Sequence, residues 1–481
     1  MDSPGVLMVS SEASPYAKSG GMADVLGALP LALVKLGYRF GVVLPRYQNA
    51  YKTNARRVID ALPIPLGGGT YTVGIWELED QDVRYFFVDH PGLYGRSGLY
   101  ADQYGDFGDN HIRFAVLSKA AIEIARRLFL TDIFHCHDWQ AGLLPVYLKT
   151  QPAVDPTFLG AKTVMTIHNL GYQGAFDRGK MGEVSLPDYL FRPNLLEFYG
   201  RCNMLKAGLV FCDAITTVSR KYAEEIQTPA YGFGLDGLLR ARSASLTGIL
   251  NGADYTQWNP ANDRYLQPPY EHFTPYDLSG KLACKAALLK EVGLPERAID
   301  RPLLGIVSRF ASQKGFDLIA EAAWQIFRDD VYLVALGNGE KRYEDLFHRL
   351  HDTFPDKVAI WIGYNDQLAH RIEAGADIFL MPSQYEPCGL NQIYSLRYGT
   401  VPVVRATGGL DDTILDSGTE STGFKFHDYS GYALLDSIRR AIHAYDDPPA
   451  WESMMVRAMN KDFSWAPSAV EYSQLYRSLL T

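Results

Sequence analysis

The sequence predicts an α/β protein of two domains in which strands alternate with helices, and three observations predict it. In both halves of the chain short apolar runs lead into turns bearing Gly, Asn or Asp and then into helical patterns. The 481 residues exceed what one hydrophobic core sustains, and 47% hydrophobic content supplies apolar surface for two. Polar residues collect at the strand ends, where open α/β sheets bind ligands.

A net charge of −9 argues against nucleic acid or an anionic membrane as the main partner, since both need a basic surface. The five cysteines, Cys136, Cys202, Cys212, Cys284 and Cys388, are odd in number and widely spaced without a CxxC pair, which fits reduced thiols rather than a disulfide framework. No basic region precedes the short apolar run Val6 to Val9, and no run is long enough to span a bilayer. The expectation is a soluble, cytoplasmic protein.

Gly5 to Ser11 reads as a buried strand, followed by a loop carrying Lys18-Ser19-Gly20-Gly21 and a helix whose stripe is Met22, Val25, Leu26, Leu29, Leu33 and Leu36, ended by Gly37. A Gly-Gly pair lets backbone approach a ligand, and a lysine ahead of a helix start adds a point charge for a phosphate; an ordinary surface lysine also accounts for the pattern. Val42 to Pro45 is a second strand. Leu62 to Leu66, Thr70 to Leu78 and Val83 to Val88 read as inserted β-structure with turns at Gly67-Gly68-Gly69 and Asp80-Gln81-Asp82. The Asp80-Gln81-Asp82 triplet has the form of a DxD metal motif, but it sits in a charged hairpin turn, where acidic residues are expected without a metal. Residues 91 to 110, dense in Gly, Tyr and Asp, read as a long functional loop whose tyrosines either stack on sugar or anchor the loop.

After a helix from His111 to Leu128, the strand Ile133 to Trp139 ends in polar groups. His135, Cys136 and His137 do not make a zinc site, because adjacent strand residues point to opposite faces and no matching ligand cluster follows. Thr163 to Ile167 ends in His168-Asn169, and Ala214 to Val218 and Gly248 to Leu250 end in Ser219 and Asn251. Residues 252 to 300, rich in Pro, Asn, Asp and Tyr early on, are the candidate interdomain crossing. Strands then resume: Leu303 to Val307 leads into Arg309 and Lys314, Val331 to Leu336 into Gly337-Asn338-Gly339, and Val358 to Ile362 into Gly363-Tyr364. Ile378 to Met381 runs into Glu386-Pro387-Cys388-Gly389 ahead of a helical pattern, and Val401 to Val404 into Thr407-Gly408-Gly409-Leu410. Unpartnered N–H groups at such helix starts suit an anion, and Glu386 could accept ligand hydroxyls. The second turn is expected to offer further backbone donors to the same crevice.

The motifs KSGGMADV, HCHDWQAGLLPVYL, TIHNLGYQGAF, NGADYTQWNP, SRFASQKGFDL, GYN and EPCGLNQIYSLRYGTVPVVRATGGLDDT, in this order, resemble those of bacterial glycogen and plant starch synthases across nearly the whole chain. The resemblance implies a GT-B fold, two Rossmann-like domains facing across a deep cleft: an acceptor-side domain 1–247 joined by a C-terminal helix 463–481, and a nucleotide-sugar domain 248–462. It implies transfer of glucose from ADP-glucose to the non-reducing end of an α-1,4-glucan with retention and no metal cofactor. By motif, Lys18 with Gly20 and Gly21, and Arg309 with Lys314, would meet the diphosphate, with Asp24 close by. Glu386 would meet the donor sugar hydroxyls, Cys388, Gly389, Leu390 and Asn391 glucose and phosphate, and Tyr364 the adenine. Asp138, His168 and Asn251 would line the sugar, with the His168 carbonyl facing the anomeric carbon. Lys18, Asp138, His168, Arg309, Lys314 and Glu386 are thus the implied catalytic set, and with no separate nucleophile a front-face mechanism is expected.

The chain departs from the family pattern at Ser19, Met22, Ala253 and Asn391, of which Asn391, beside the diphosphate, bears on nucleotide choice. A related transferase using UDP-glucose or a different acceptor is the alternative within the fold. A dehydrogenase would need a GxGxxG after the first strand, which is missing. A glucan-binding protein would not need Lys18, Arg309 and Lys314 in ligand loops.

Overall fold

The computed structural model describes residues 3–150 and 156–481. The chain forms two compact units, Met1–Gly252 with Trp465–Thr481, and Ala253–Ser464.

The first unit holds a sheet of strands β1 (Gly5–Val9), β2 (Arg39–Pro45), β3 (Arg56–Leu66), β4 (Gly69–Asp80), β5 (Val83–Asp89), β6 (Ile133–His137), β7 (Lys162–Ile167), β8 (Ala214–Thr217) and β9 (Leu246–Gly248). Their order is β9-β8-β7-β6-β1-β2-β5-β4-β3, with antiparallel pairing only along β5-β4-β3. β1 is apolar without interruption because both its faces are covered. Each hairpin of the insertion closes through two left-handed residues, Gly67-Gly68 and Gln81-Asp82, the geometry that matches strand twist. Asp80-Gln81-Asp82 is thus a tight hairpin turn. β2 begins three residues before Val42, because its ladder with β1 starts at Gly5 opposite Arg39.

The helix Trp465–Leu480 belongs to this unit: Trp465, Ala469, Tyr472 and Tyr476 are buried with Val25, Leu29 and Tyr38, and Tyr38 Oη donates to the Ser473 carbonyl at 3.1 Å. The boundary drawn at 247/248 cuts β9, whose ladder with β8 runs through Gly248; the units therefore divide after Gly252.

The second unit is wholly parallel: β10 (Leu303–Val307), β11 (Tyr332–Gly337), β12 (Val358–Ile362), β13 (Ile378–Met381), β14 (Val401–Arg405) and β15 (Phe424–Phe426), in the order β12-β11-β10-β13-β14-β15. This is the doubly wound order. Alternate residues feed two cores, Leu304, Ile306, Leu333 and Ala335 on one face and Leu303, Tyr332, Val334 and Leu336 on the other.

Of the expected crossing, residues 252 to 300, all but Gly252 fold within the second unit. Leu266, Tyr270 and Phe273 are buried in the second unit's core, and the helix Ser279–Val292 packs beside them. Trp258 stacks on His370 with ring centroids 3.6 Å apart and on Tyr394 at 4.0 Å. Asp263 accepts from His370 Nδ1 at 2.8 Å and from Tyr398 Oη at 2.5 Å. The segment is anchored by single aromatic and acidic residues at irregular intervals, so it shows no period of 2 or 3.6 to mark it as ordered. Among the described residues no helix is long and apolar enough to cross a membrane, and all five cysteines are free and buried.

Candidate active site

In a doubly wound sheet the ligand crevice lies at the carboxyl ends of the strands where successive connections leave in opposite directions. In the first unit that point lies between β1 and β6, and in the second between β10 and β13. The loops after these four strands carry Lys18, Asp138, Arg309 with Lys314, and Glu386.

After β1, Lys18 Nζ donates to Asp24 Oδ1 at 2.6 Å, and the lysine side chain is 52% exposed. So exposed a pair contributes little to stability, and an arriving anion can compete for the ammonium. Part of this loop is tied down internally. Ser19 N, Ser19 Oγ and Gly20 N donate to the Glu12 carboxylate at 2.5, 2.6 and 3.3 Å, and Tyr100 Oη donates to it at 2.5 Å. A Cβ at Gly20 would meet nothing, and Gly21 simply opens the helix Gly21–Val34. Glu12 escaped sequence reasoning; the available signal was an acidic residue three positions past an apolar strand. Tyr100 and the buried Tyr94, whose hydroxyl donates to the Arg113 carbonyl, anchor the 91–110 segment, whereas Tyr104 is exposed.

After β6, Asp138 has φ 54° and ψ −168°, a region otherwise left to glycine, and such strain concentrates at functional sites. Its Oδ1 accepts the His168 N–H at 2.7 Å, linking the ends of β6 and β7. Burial pushes the Asp138 carboxyl up to about 7, against the backbone hydrogen bonds of His168 and Asn169 that pull it down. His168 Nε2 lies 2.9 Å from His137 Nδ1, and burial lowers the His168 ring to about 3, so it is neutral. Asn251, three residues past β9, is buried with Oδ1 lacking a hydrogen-bond partner among the described residues.

A carboxylate that must be ionised to favour a cationic sugar would impose its own titration on the reaction. The acid limb of kcat/KM is therefore expected to rise with an apparent pKa near 7 and to vanish in Asp138→Asn. The same upward shift makes folding stability decline as pH rises from the unfolded carboxylate value of about 3.9 toward the folded one. A pH–rate profile that is flat down to about pH 5 in the wild type would contradict this assignment.

After β10, Arg309 is exposed, and its guanidinium has no hydrogen-bond or ion-pair partner among the described residues. Lys314 Nζ donates to Glu386 Oε2 at 2.5 Å, and Ser383 Oγ donates to the same oxygen at 3.0 Å. Glu386 is buried, and its Oε1 has no protein donor among the described residues. The two loops are stitched together: Gln384 N donates to Gln313 O at 2.8 Å, Gln313 Nε2 to Tyr385 O at 3.1 Å, and Gly315, at φ 71°, lies so close that a Cβ would sit 1.9 Å from Pro382 O. This contact sets Lys314 against Glu386.

The Thr407–Leu410 turn does not offer its donors to a ligand as expected. Gly409 N donates to Glu386 O and Pro387 O at 3.1 and 3.2 Å, and a Cβ at Gly409 would lie 2.0 Å from Cys388 O, so this turn braces the backbone of the Glu386 loop. Cys388, Gly389 and Leu390 lead into the helix Asn391–Arg397, which cannot begin at Gly389 because that residue is left-handed. Asn391 Nδ2 donates to Val307 O at 2.5 Å, tying this helix to the end of β10, so its amide nitrogen acts as an internal strut. The Tyr364 ring, past β12, is 84% exposed, with its hydroxyl 3.4 Å from Asp366.

Residues 5–241 match the starch synthase catalytic domain family, and residues 295–453 match the glycosyl transferases group 1 family. The chain is 48% identical to glycogen synthase from Koribacter versatilis over 475 residues, 98% of this chain and 97% of that one. It is 44% identical to glycogen synthase from Moorella thermoacetica over 483 residues, covering 99% and 96%. The catalytic domain of starch synthase IV from Arabidopsis thaliana, bound to ADP and acarbose, matches with a TM-score of 0.91 at 32% identity, covering 99% of each chain. Sucrose-phosphate synthase from Thermosynechococcus elongatus shares the fold alone, at a TM-score of 0.63 and 18% identity over 99% of each chain. Two doubly wound units with ligand loops at their switch points, and these likenesses, define a GT-B glycosyltransferase. The chain belongs to the glycogen synthase family.

Proposed function

We propose that the protein transfers glucose from ADP-glucose to the non-reducing end of an α-1,4-glucan with retention of configuration. The observation that carries this reading is the arrangement at the second unit's switch point: an exposed Arg309 whose guanidinium has no partner among the described residues and, across the stitched loops, Lys314 held on Glu386. A nucleoside diphosphate leaving group gains charge as the glucosyl C1–O bond breaks, and fixed cations stabilise that charge. Arg309 and Lys314 supply it, Glu386 Oε1 accepts a donor-sugar hydroxyl, and the exposed Tyr364 ring stacks on adenine. Cys388, Gly389 and Leu390 form the wall beside glucose and phosphate. In the first unit Lys18 attracts an anionic group, and Asp138, His168 and Asn251 bind sugar, with the His168 carbonyl toward C1.

No side chain is assigned as a nucleophile. In the front-face step the C1–O bond to the β-phosphate breaks, the acceptor oxygen bonds to C1 on the same face, and its proton passes to the departing phosphate oxygen. Reduced, buried thiols support a cytoplasmic site of action. The test is nucleotide release from ADP-glucose and from UDP-glucose, with and without glycogen. Glycogen-dependent release of ADP at a higher kcat/KM than of UDP is expected, and the reverse preference would overturn the donor assignment.

Because Arg309 and Lys314 already provide cations for the diphosphate, turnover is expected to survive a chelator. Loss of most turnover in EDTA, restored by magnesium or manganese, would contradict this and return attention to Asp80 and Asp82.

A further inference from the structure

Three histidines form a continuous stack inside the first unit. Strand alternation puts His135 and His137 of β6 on one face, with ring centroids 4.3 Å apart at 28°, and His137 lies 5.2 Å from His168 at 29°. His135 is held at both nitrogens, Nδ1 on Tyr476 Oη at 2.7 Å and Nε2 on Thr166 Oγ1 at 2.5 Å, and Thr166 Oγ1 is in turn 2.6 Å from Thr216 Oγ1. The closing helix Trp465–Leu480 thus pins the first ring, and stacking on that ring fixes the second.

His137 has one polar partner. Its Nδ1 is 2.9 Å from His168 Nε2, and its own Nε2 is buried without any hydrogen bond among the described residues. Burial, with the neighbouring imidazoles, holds His137 well below its usual range, and burial holds His168 down as well, so both rings are neutral. Each ring then carries one proton, and only two arrangements fill the contact. If His168 donated Nε2–H to His137 Nδ1, the His137 proton would sit on Nε2, a buried N–H with no acceptor. If His137 donates Nδ1–H to His168 Nε2, the unmet group on His137 is a lone pair. Orphaned donors are rarer and more costly than under-satisfied acceptors.

We infer that His137 is a positioning residue for the transfer reaction: its Nδ1–H donates to His168 Nε2, which locks the His168 ring in place and puts the His168 proton on Nδ1. The last residue of β6 and the one that follows it then hold the two parts of His168, His137 its ring and Asp138 its backbone N–H. His168 presents a fixed N–H donor, rather than a lone pair, to a sugar hydroxyl. The inference rests on the proposed role of His168 in binding sugar, but the tautomer itself does not.

Two variants and one spectrum test it. The side-chain amide nitrogen of Asn can occupy the position of imidazole Nδ1, so His137→Asn keeps the donor, while His137→Leu fills the space without one. Leu is expected to lower kcat roughly 10- to 100-fold with a much smaller change in KM, the scale of one lost buried hydrogen bond, and Asn is expected to recover most of the loss. Equal losses of kcat in both variants, or wild-type kcat in the Leu variant, would overturn the positioning role. In the full chain labelled with 15N-histidine, His168 should show a protonated Nδ1 and a bare Nε2; the opposite pattern would refute the tautomer whatever the activity. If His137→Leu does not fold, the wild-type spectrum and the Asn variant still decide. A correct tautomer in a protein inactive with ADP-glucose would sink only the donor assignment.

Discussion

Glu386→Gln is expected to lower turnover by about 10²–10³-fold, the scale of removing one preorganised electrostatic partner, with the melting temperature close to wild type. Among the described residues both donors to the Glu386 carboxylate, Lys314 and Ser383, converge on Oε2. Glutamine keeps an oxygen for them, so the loop stays in place, but the negative charge beside the developing cationic sugar is lost. The same change leaves the Lys314 ammonium without its counter-charge in a site where the lysine side chain is only 20% exposed. Lys314 should then hold a diphosphate more strongly, so ADP affinity is expected to rise while kcat falls. That opposition separates the proposed role from a structural one. Steady-state ADP release, calorimetric titration with ADP and a thermal melt measure the three quantities together. Unchanged kinetics with a clearly lowered melting temperature would make Glu386 a structural acid.

Asp263→Ala is expected to cost about 3–5 kcal/mol of stability, the scale of breaking a buried charged cluster by removing one partner. For a unit of this size that is a fall of roughly 6–20 °C in melting temperature. Asp263 is buried, and its carboxylate accepts three hydrogen bonds among the described residues, from His370 Nδ1, Tyr398 Oη and, at 2.9 Å, the Tyr265 N–H. Alanine leaves the phenol and the imidazole without their acceptor. The effect should reach the reaction as well, because His370 stacks on Trp258 and Trp258 on Tyr394, within the helix that starts at Asn391. Burial alone would raise the Asp263 carboxyl, but the hydrogen bonds from His370 and Tyr398 outweigh it and hold the group below the usual range. A depressed carboxylate contributes its stability above the unfolded value of about 3.9 and loses it as pH falls through the folded one. The wild type should therefore lose more stability than Asp263→Ala on acidification below about pH 4. Scanning calorimetry across that range checks both statements, and a shift under about 2 °C at neutral pH would show that the cluster is not what anchors residues 253–275.

The sequence by itself determined the alternation of strands and helices and the positions of the charged loops. Those signals are local: a buried parallel strand is a short apolar run, a helix stripe repeats every three or four residues, and Arg309, Lys314 and Glu386 each follow a strand by a few residues. Tertiary structure alone decided which of those groups remain available to a ligand. Glu12 takes the Ser19 and Gly20 amides, and the Gly409 amide, expected to face a ligand, braces Glu386. Asn391 reaches back to Val307, His137 to His168, and Trp258 and Asp263 to a helix more than a hundred residues further on. Such pairings leave no period in the sequence, because a hydrogen bond or a stacked ring needs only one residue on each side, brought together by strand order. A donor's partner is a property of the folded neighbourhood, which is why residues 253–300 read as a crossing and fold as part of the second unit's core.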